Sequence, residues 1–230
     1  MSTTIHGAPG PTLAAPTSKT RERVRKILLA CGPLSAAAYI GWHELAALRW
    51  EGYSRISNAI SELHLTGTPT KSILDPWQVW VDSTLLAAFG IGIWLSAQRS
   101  RSLRVVGALM LLPAATTPLW MIFGEASLAA HIALLLVGIL SWLGAMIFGA
   151  AALGNRFRIY SLVTLATVVT SFALALSYAP EVNAGQPTPF IGLEERIGFS
   201  AYYLWQSVLA VALWRRRPNL GGEEAVAPPT

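Results

Sequence analysis

Asp82 and His131 are the side chains most suited to chemistry in this sequence, because each stands inside a long apolar run. A carboxylate within a membrane-crossing helix costs roughly 2.5–3.5 kcal/mol at the centre and less near the interface, so such residues face the bundle interior and have partners. On helical spacing, Asp82 follows Gln78 by one turn and aligns with Leu85, Leu86 and Gly90, a face polar at one end and apolar deeper in. His131 opens another apolar run, with Glu125 just across a short turn. Ser57, Asn58, Ser61 and Glu62 supply further polar groups, and Glu194-Glu195-Arg196 heads the last apolar run. These positions predict a polar pocket at one membrane face, with Ser57, Asn58, Ser61, Glu62, Asp82, Glu125, His131, Glu195 and Arg196 as its ligand-binding residues. The plainer reading is structural. A buried Asp–His or Asp–Ser hydrogen bond would fix helix register, and the acids at 194 and 195 would cap their helix, where the macrodipole favours them. Arg196 could pair with Asp82 or with a lipid phosphate.

The residue sets of known enzyme classes are incomplete. Asp, Glu and His are suitable zinc ligands, but there is no HExxH, no HxxxH and no paired cysteine, since Cys31 stands alone. Gly-x-Ser-x-Gly, the Walker loop, the dinucleotide fingerprint and the nucleic-acid motifs are also missing. No catalytic residue, metal or cofactor is therefore predicted. Four apolar residues between Lys26 and Cys31 are too few for a lipoprotein signal, whose core needs about 7–15.

The elements that must hold these groups are membrane spans. Of 230 residues 53% are hydrophobic and only 13% charged, about half the charge of an ordinary soluble domain, and mean hydropathy is +0.48. Apolar runs at about Ile27–Leu48, Trp77–Ala97, Val105–Phe123, Leu128–Leu153, Ile159–Tyr178 and Ile197–Trp214 are each long enough to cross roughly 30 Å of hydrocarbon as a helix. Most of the 17 basic residues fall in the N-terminal flank, Gln98–Arg104, Gly154–Arg158 and Arg215–Arg217, all on one side. The positive-inside rule then predicts six spans with both termini cytoplasmic. That topology explains the net charge of +5 without nucleic acid. The fold class is all-α, with a membrane domain at 21–217 between disordered tails at 1–20 and 218–230. In the third span Pro113 and Pro118 predict a kink, with Thr116 and Thr117 hydroxyls available to freed backbone groups.

Between the first two spans lies Tyr53–Pro76. Ile56, Ala59, Ile60 and Leu63 recur there at helical spacing with Ser57, Asn58, Ser61 and Glu62 opposite, which predicts a short amphipathic outer helix over Ser54–Leu65. NAISELHLTGTPTKSILDP resembles the ISELG-x-x-x-x-P signature of a bacterial and archaeal family of six-helix membrane proteins. That family carries the domain-of-unknown-function label nine-nine-eight. GLEERIGFSAYYLWQSVLAVAL is similar to its closing helix. The likeness covers about Ile27–Arg216, with Asn58, Ser61, Glu62, Pro69, Glu195 and Arg196 at signature positions and His64 where a glycine is usual. More distantly, the plan looks like FRAG/DRAM/Sfk-type proteins, a resemblance that implies lipid handling.

The expected function is binding of a lipid or small amphiphile in an outward-facing pocket of a multi-pass cell-membrane protein. The partners expected are membrane lipid and a membrane-protein partner or second copy, not nucleic acid. The alternatives are an intramembrane metal-dependent hydrolase, a small transporter, and an accessory subunit of a membrane complex.

Overall fold

Apolar runs become helices because a helix satisfies its own backbone hydrogen bonds wherever water is excluded. The computed structural model describes residues 18–123 and 127–216. The helices are α1 (Ser18–Arg49), α2 (Lys71–Trp77), α3 (Ser83–Ser96), α4 (Arg101–Phe123), α5 (Leu128–Ala152), α6 (Asn155–Ser177), α7 (Ala179–Asn183) and α8 (Ile191–Arg215). A 3₁₀ turn, Ile60–His64, follows α1, and a π-helical turn, Gln78–Asp82, joins α2 to α3. No strand occurs among the described residues, so the expected all-α class holds. Five helical stretches are long and apolar enough to cross a membrane: Lys71–Ser96, Arg101–Trp120, Leu128–Ala152, Asn155–Asn183 and Ile191–Arg215. The chain is a membrane protein. Helix α1 is as long but less apolar, with Gly32, Pro33, Ser35, His43 and Glu44 in its length.

The six long helices close a ring in chain order. Helix α1 packs on α3, α3 on α4, α4 on α5, α5 on α6, α6 on α8, and α8 returns to α1. At the α3–α4 seam Gly90 and Gly107 let the backbones touch. A Cβ on either would stand 3.0 or 2.9 Å from the other's carbonyl oxygen, the small-residue packing that membrane helices favour. The ring is filled by an apolar core including Phe89, Met110, Met146, Phe172, Tyr202 and Trp205. Polar cross-links punctuate it. Gln206 donates to the Gly32 carbonyl at 2.9 Å and accepts from the Tyr202 hydroxyl at 3.0 Å, while the Trp205 indole donates to Ser161 at 2.9 Å. At the end of the ring where the chain enters and leaves, buried Arg25 pairs with Glu22 and donates to the carbonyls of Leu213 and Arg216 and to Ser96.

Several boundaries differ from the sequence reading. Helix α1 starts at Ser18, inside the predicted tail, and the second span's helix starts at Lys71, with Pro76 inside it. Residues 1–17 and 217–230, which hold most of both predicted tails, lie outside the described residues, as does Glu125. The continuous helix over Ser54–Leu65 is replaced by turns and one 3₁₀ turn. Ile56, placed on its apolar face, is 52% exposed, whereas Ala59, Ile60 and Leu63 are buried. The physical reason is that side-chain oxygens, not carbonyls four residues back, take the N–H groups of Ser54, Ile56, Ser57, Ala59 and Ile60. Of the threonine hydroxyls expected to serve the Pro-containing span, Thr117 donates to the Pro113 carbonyl at 2.8 Å.

Candidate functional site

The segment after α1 is pinned to the head of α8 by a mesh of side-chain bonds. Glu62 accepts from the Ala59 N–H at 2.8 Å and from the Asn58 amide at 2.7 Å, and Asn58 Oδ1 accepts from the Ser54 N–H. Glu195 is buried and accepts from the Ile60 N–H at 2.6 Å, so it caps the 3₁₀ turn. That corrects the expectation that it caps its own helix. Arg196 donates to the Arg55 carbonyl at 3.0 Å and to the Tyr53 hydroxyl at 3.0 Å, and it lies 3.6 Å from Glu44, not against Asp82. Burial pushes the Tyr53 phenol up, and the Arg196 hydrogen bond pulls it the other way. The Leu193 N–H donates to the Ile56 carbonyl at 3.0 Å, and the Thr188 hydroxyl to the Ser57 carbonyl at 3.2 Å. Gly192 makes this approach possible, because a Cβ there would overlap the Asn58 carbonyl.

Beneath this lid the ring lines a half-open cavity of about 110 Å³, room for several waters. Its walls come from α1 (Tyr39, His43), the π-turn (Gln78, Asp82), α3 (Leu86), α4 (Pro113, Thr116, Thr117, Trp120), α5 (His131, Leu134, Leu135, Gly138, Trp142) and α8 (Glu195, Phe199, Tyr203). Ile60, Ser61 and His64 of the lid border it. The π-turn, a feature frequent at functional sites, carries Asp82 into this wall. There Asp82 accepts from the Ser35 hydroxyl at 2.7 Å and from the Tyr203 hydroxyl at 3.5 Å. The Asp–Ser bond is therefore the register lock expected of a buried span acid. The rings of Tyr39, Tyr203 and Phe199 gather on one side, and Trp120 stands edge-on to both His64 and His131 on the other.

Two histidines form a pair that sequence reasoning did not place in the site. His43 and His64 are both buried, with Nε2 atoms 3.1 Å apart. Nδ1 of His43 faces the Tyr39 carbonyl at 2.7 Å, and Nδ1 of His64 faces the Asp75 carboxylate at 2.9 Å. Asp75 also meets Lys71 at 2.9 Å.

Of the predicted binding residues, Ser61, Asp82, His131 and Glu195 line the cavity. Ser57, Asn58, Glu62 and Arg196 build the lid seam instead, and Glu125 lies outside the described residues. Among the described residues no three His, Cys, Asp or Glu side chains are grouped to hold a metal ion.

A helical membrane bundle with a lidded cavity carrying titratable groups is the class that this fold and site define. The chain belongs to the family described as a protein of unknown function, DUF998, which it matches over residues 29–212. The family expectation raised by ISEL and the late Glu-Arg pair is thereby met, and those residues prove to be the two sides of the lid seam. No curated protein and no solved structure matches the chain.

Proposed function

We propose that the protein binds a lipid or small amphiphile in the cavity, as a six-span cell-membrane protein with both termini cytoplasmic and the lid at the outer face. The observation that carries the reading is the polarity gradient of one half-open cavity. Asp82, Glu195, Ser61 and the histidines are among its polar lining, while Leu86, Leu134, Leu135 and Gly138 continue the wall as apolar surface. Such a space matches a molecule with a polar head and an apolar stem, as small-molecule sites usually do. Helix α1 serves as the sixth span in this reading, because it closes the ring between α3 and α8. The basic turns at the opposite end favour that end as cytoplasmic.

The test is a native mass spectrum of the gently solubilised protein beside its Gly138→Leu variant. A Cβ at Gly138 meets nothing within 4 Å, so the added side chain fills the cavity without a first-atom clash. One retained lipid or amphiphile on the parent and none on the variant is expected. Retention by both would place the ligand elsewhere, and a bare parent would remove the reading.

A further inference from the structure

We infer that the group bound under the lid is an organic ammonium, held by Asp82 and Glu195 among aromatic rings. This rests on the proposed binding reading and names the ligand's chemistry. Both acids are buried, at 5% and 9% exposure, and both line the same cavity. Among the described residues each accepts only from neutral protein groups, Asp82 from two hydroxyls and Glu195 from one backbone N–H, and no Lys or Arg lines the cavity.

The cations nearby are committed elsewhere. Arg196, next in sequence to Glu195, directs its guanidinium to two backbone carbonyls, the Tyr53 hydroxyl and Glu44. Lys71 pairs with Asp75 at 2.9 Å. A buried carboxylate without a counter-ion is costly, and two buried acids line this one small cavity.

Two independent features agree. Gln78 Oε1, on the cavity wall, is a buried acceptor without a donor, which an ammonium N–H would supply. The cavity is also lined by Tyr39, Tyr203, Phe199, Trp120 and Trp142, aromatic residues of the kind that recognise alkylammonium groups. The volume, about 110 Å³, admits a head group and a few carbons, somewhat less than the roughly 150 Å³ engineered cavity that takes up benzene. A free amine and the ammonium head of an aminophospholipid share this chemistry.

The test uses the full chain in neutral detergent at pH 7.5. Calorimetric titration compares benzylamine with benzyl alcohol, the same shape without the charge. The inference expects the amine to bind at least about tenfold more tightly. It expects Asp82→Asn and Glu195→Gln each to lose at least about tenfold for the amine and little for the alcohol. These amides keep an acceptor for Ser35 and for Ile60 N–H, and the parent comparison stands even if a variant fails to fold. Competition with phosphatidylethanolamine and with phosphatidylglycerol then separates the sources. Displacement of benzylamine by the first alone assigns a lipid head, and no displacement by either assigns a free amine. Equal binding of amine and alcohol overturns the ammonium inference and leaves the amphiphile reading in place. Binding of neither, with a bare native mass, overturns both.

Discussion

Replacing Gly192 by alanine tests the lid seam with a single atom. The new Cβ overlaps the Asn58 carbonyl oxygen and comes within 2.8 Å of the Arg55 carbonyl, both backbone atoms that no rotamer change can move aside. The chain can open the seam or strain it. Opening sacrifices three hydrogen bonds involving charged groups, Ile60 to Glu195, Arg196 to Arg55 and Arg196 to Tyr53, and two neutral ones, Leu193 to Ile56 and Thr188 to Ser57. At about 1.5–3 kcal/mol for each charged bond and about 0.5–1.5 for each neutral one, full opening costs about 5–12 kcal/mol. Overpacking costs about 1–3 kcal/mol, and alanine returns about 0.5–1 through its better helix propensity. Strain is the cheaper course, so the lid should shift but stay docked, at a net loss of about 1 kcal/mol. Unfolding in mixed micelles reads the loss, and hydrogen exchange reads the amides of Ile60 and Leu193, which should exchange faster while core amides of α8 do not. Unchanged stability together with unchanged exchange at Ile60 would refute the packed seam.

Asp82→Asn should stabilise the ligand-free protein by about 1 kcal/mol or more, because it removes a buried charge that has no cation while keeping the Ser35 bond; a lower thermal midpoint would show that the carboxylate is already compensated. Arg25→Ala should cost about 2–3 kcal/mol, since the carbonyls of Leu213 and Arg216 lose a charged donor. Lys26→Ala, whose contact with Glu22 is half-exposed, should cost under about 1; equal losses in a denaturant series would contradict this.

Much of this arrangement could be read from residue types and spacing. The apolar runs marked the helices, Asp82 announced a buried polar partner, and ISEL with the late Glu-Arg pair marked one functional unit. The lid's conformation could not be read, because Ile56, Ala59, Ile60 and Leu63 satisfy helical spacing while the backbone around them bonds to Glu62, Asn58 and Glu195 instead. Sequence periodicity cannot register a cap supplied from 135 residues away. The histidine pair was hidden for a similar reason. His43 lies within the first apolar run and His64 stands where a glycine is usual, and only the fold brings their nitrogens together. A histidine inside a span and another in the adjoining loop were the available signal. Asp75 lies just before the second apolar run, and its carboxylate meets His64.

The ring order has a consequence for biogenesis. Every neighbour contact from α1 through α6 joins elements that leave the ribosome one after another, so helical hairpins can assemble as they are made. Closure waits for α8, which supplies Glu195 and Arg196 to the lid and, at its far end, the carbonyls that receive Arg25. Until that last helix arrives, Asp82 lacks Tyr203 and the 3₁₀ turn lacks its cap. A chain arrested before residue 191 therefore presents an unfinished, polar-lined cleft to the bilayer, the kind of surface that membrane quality control recognises and removes.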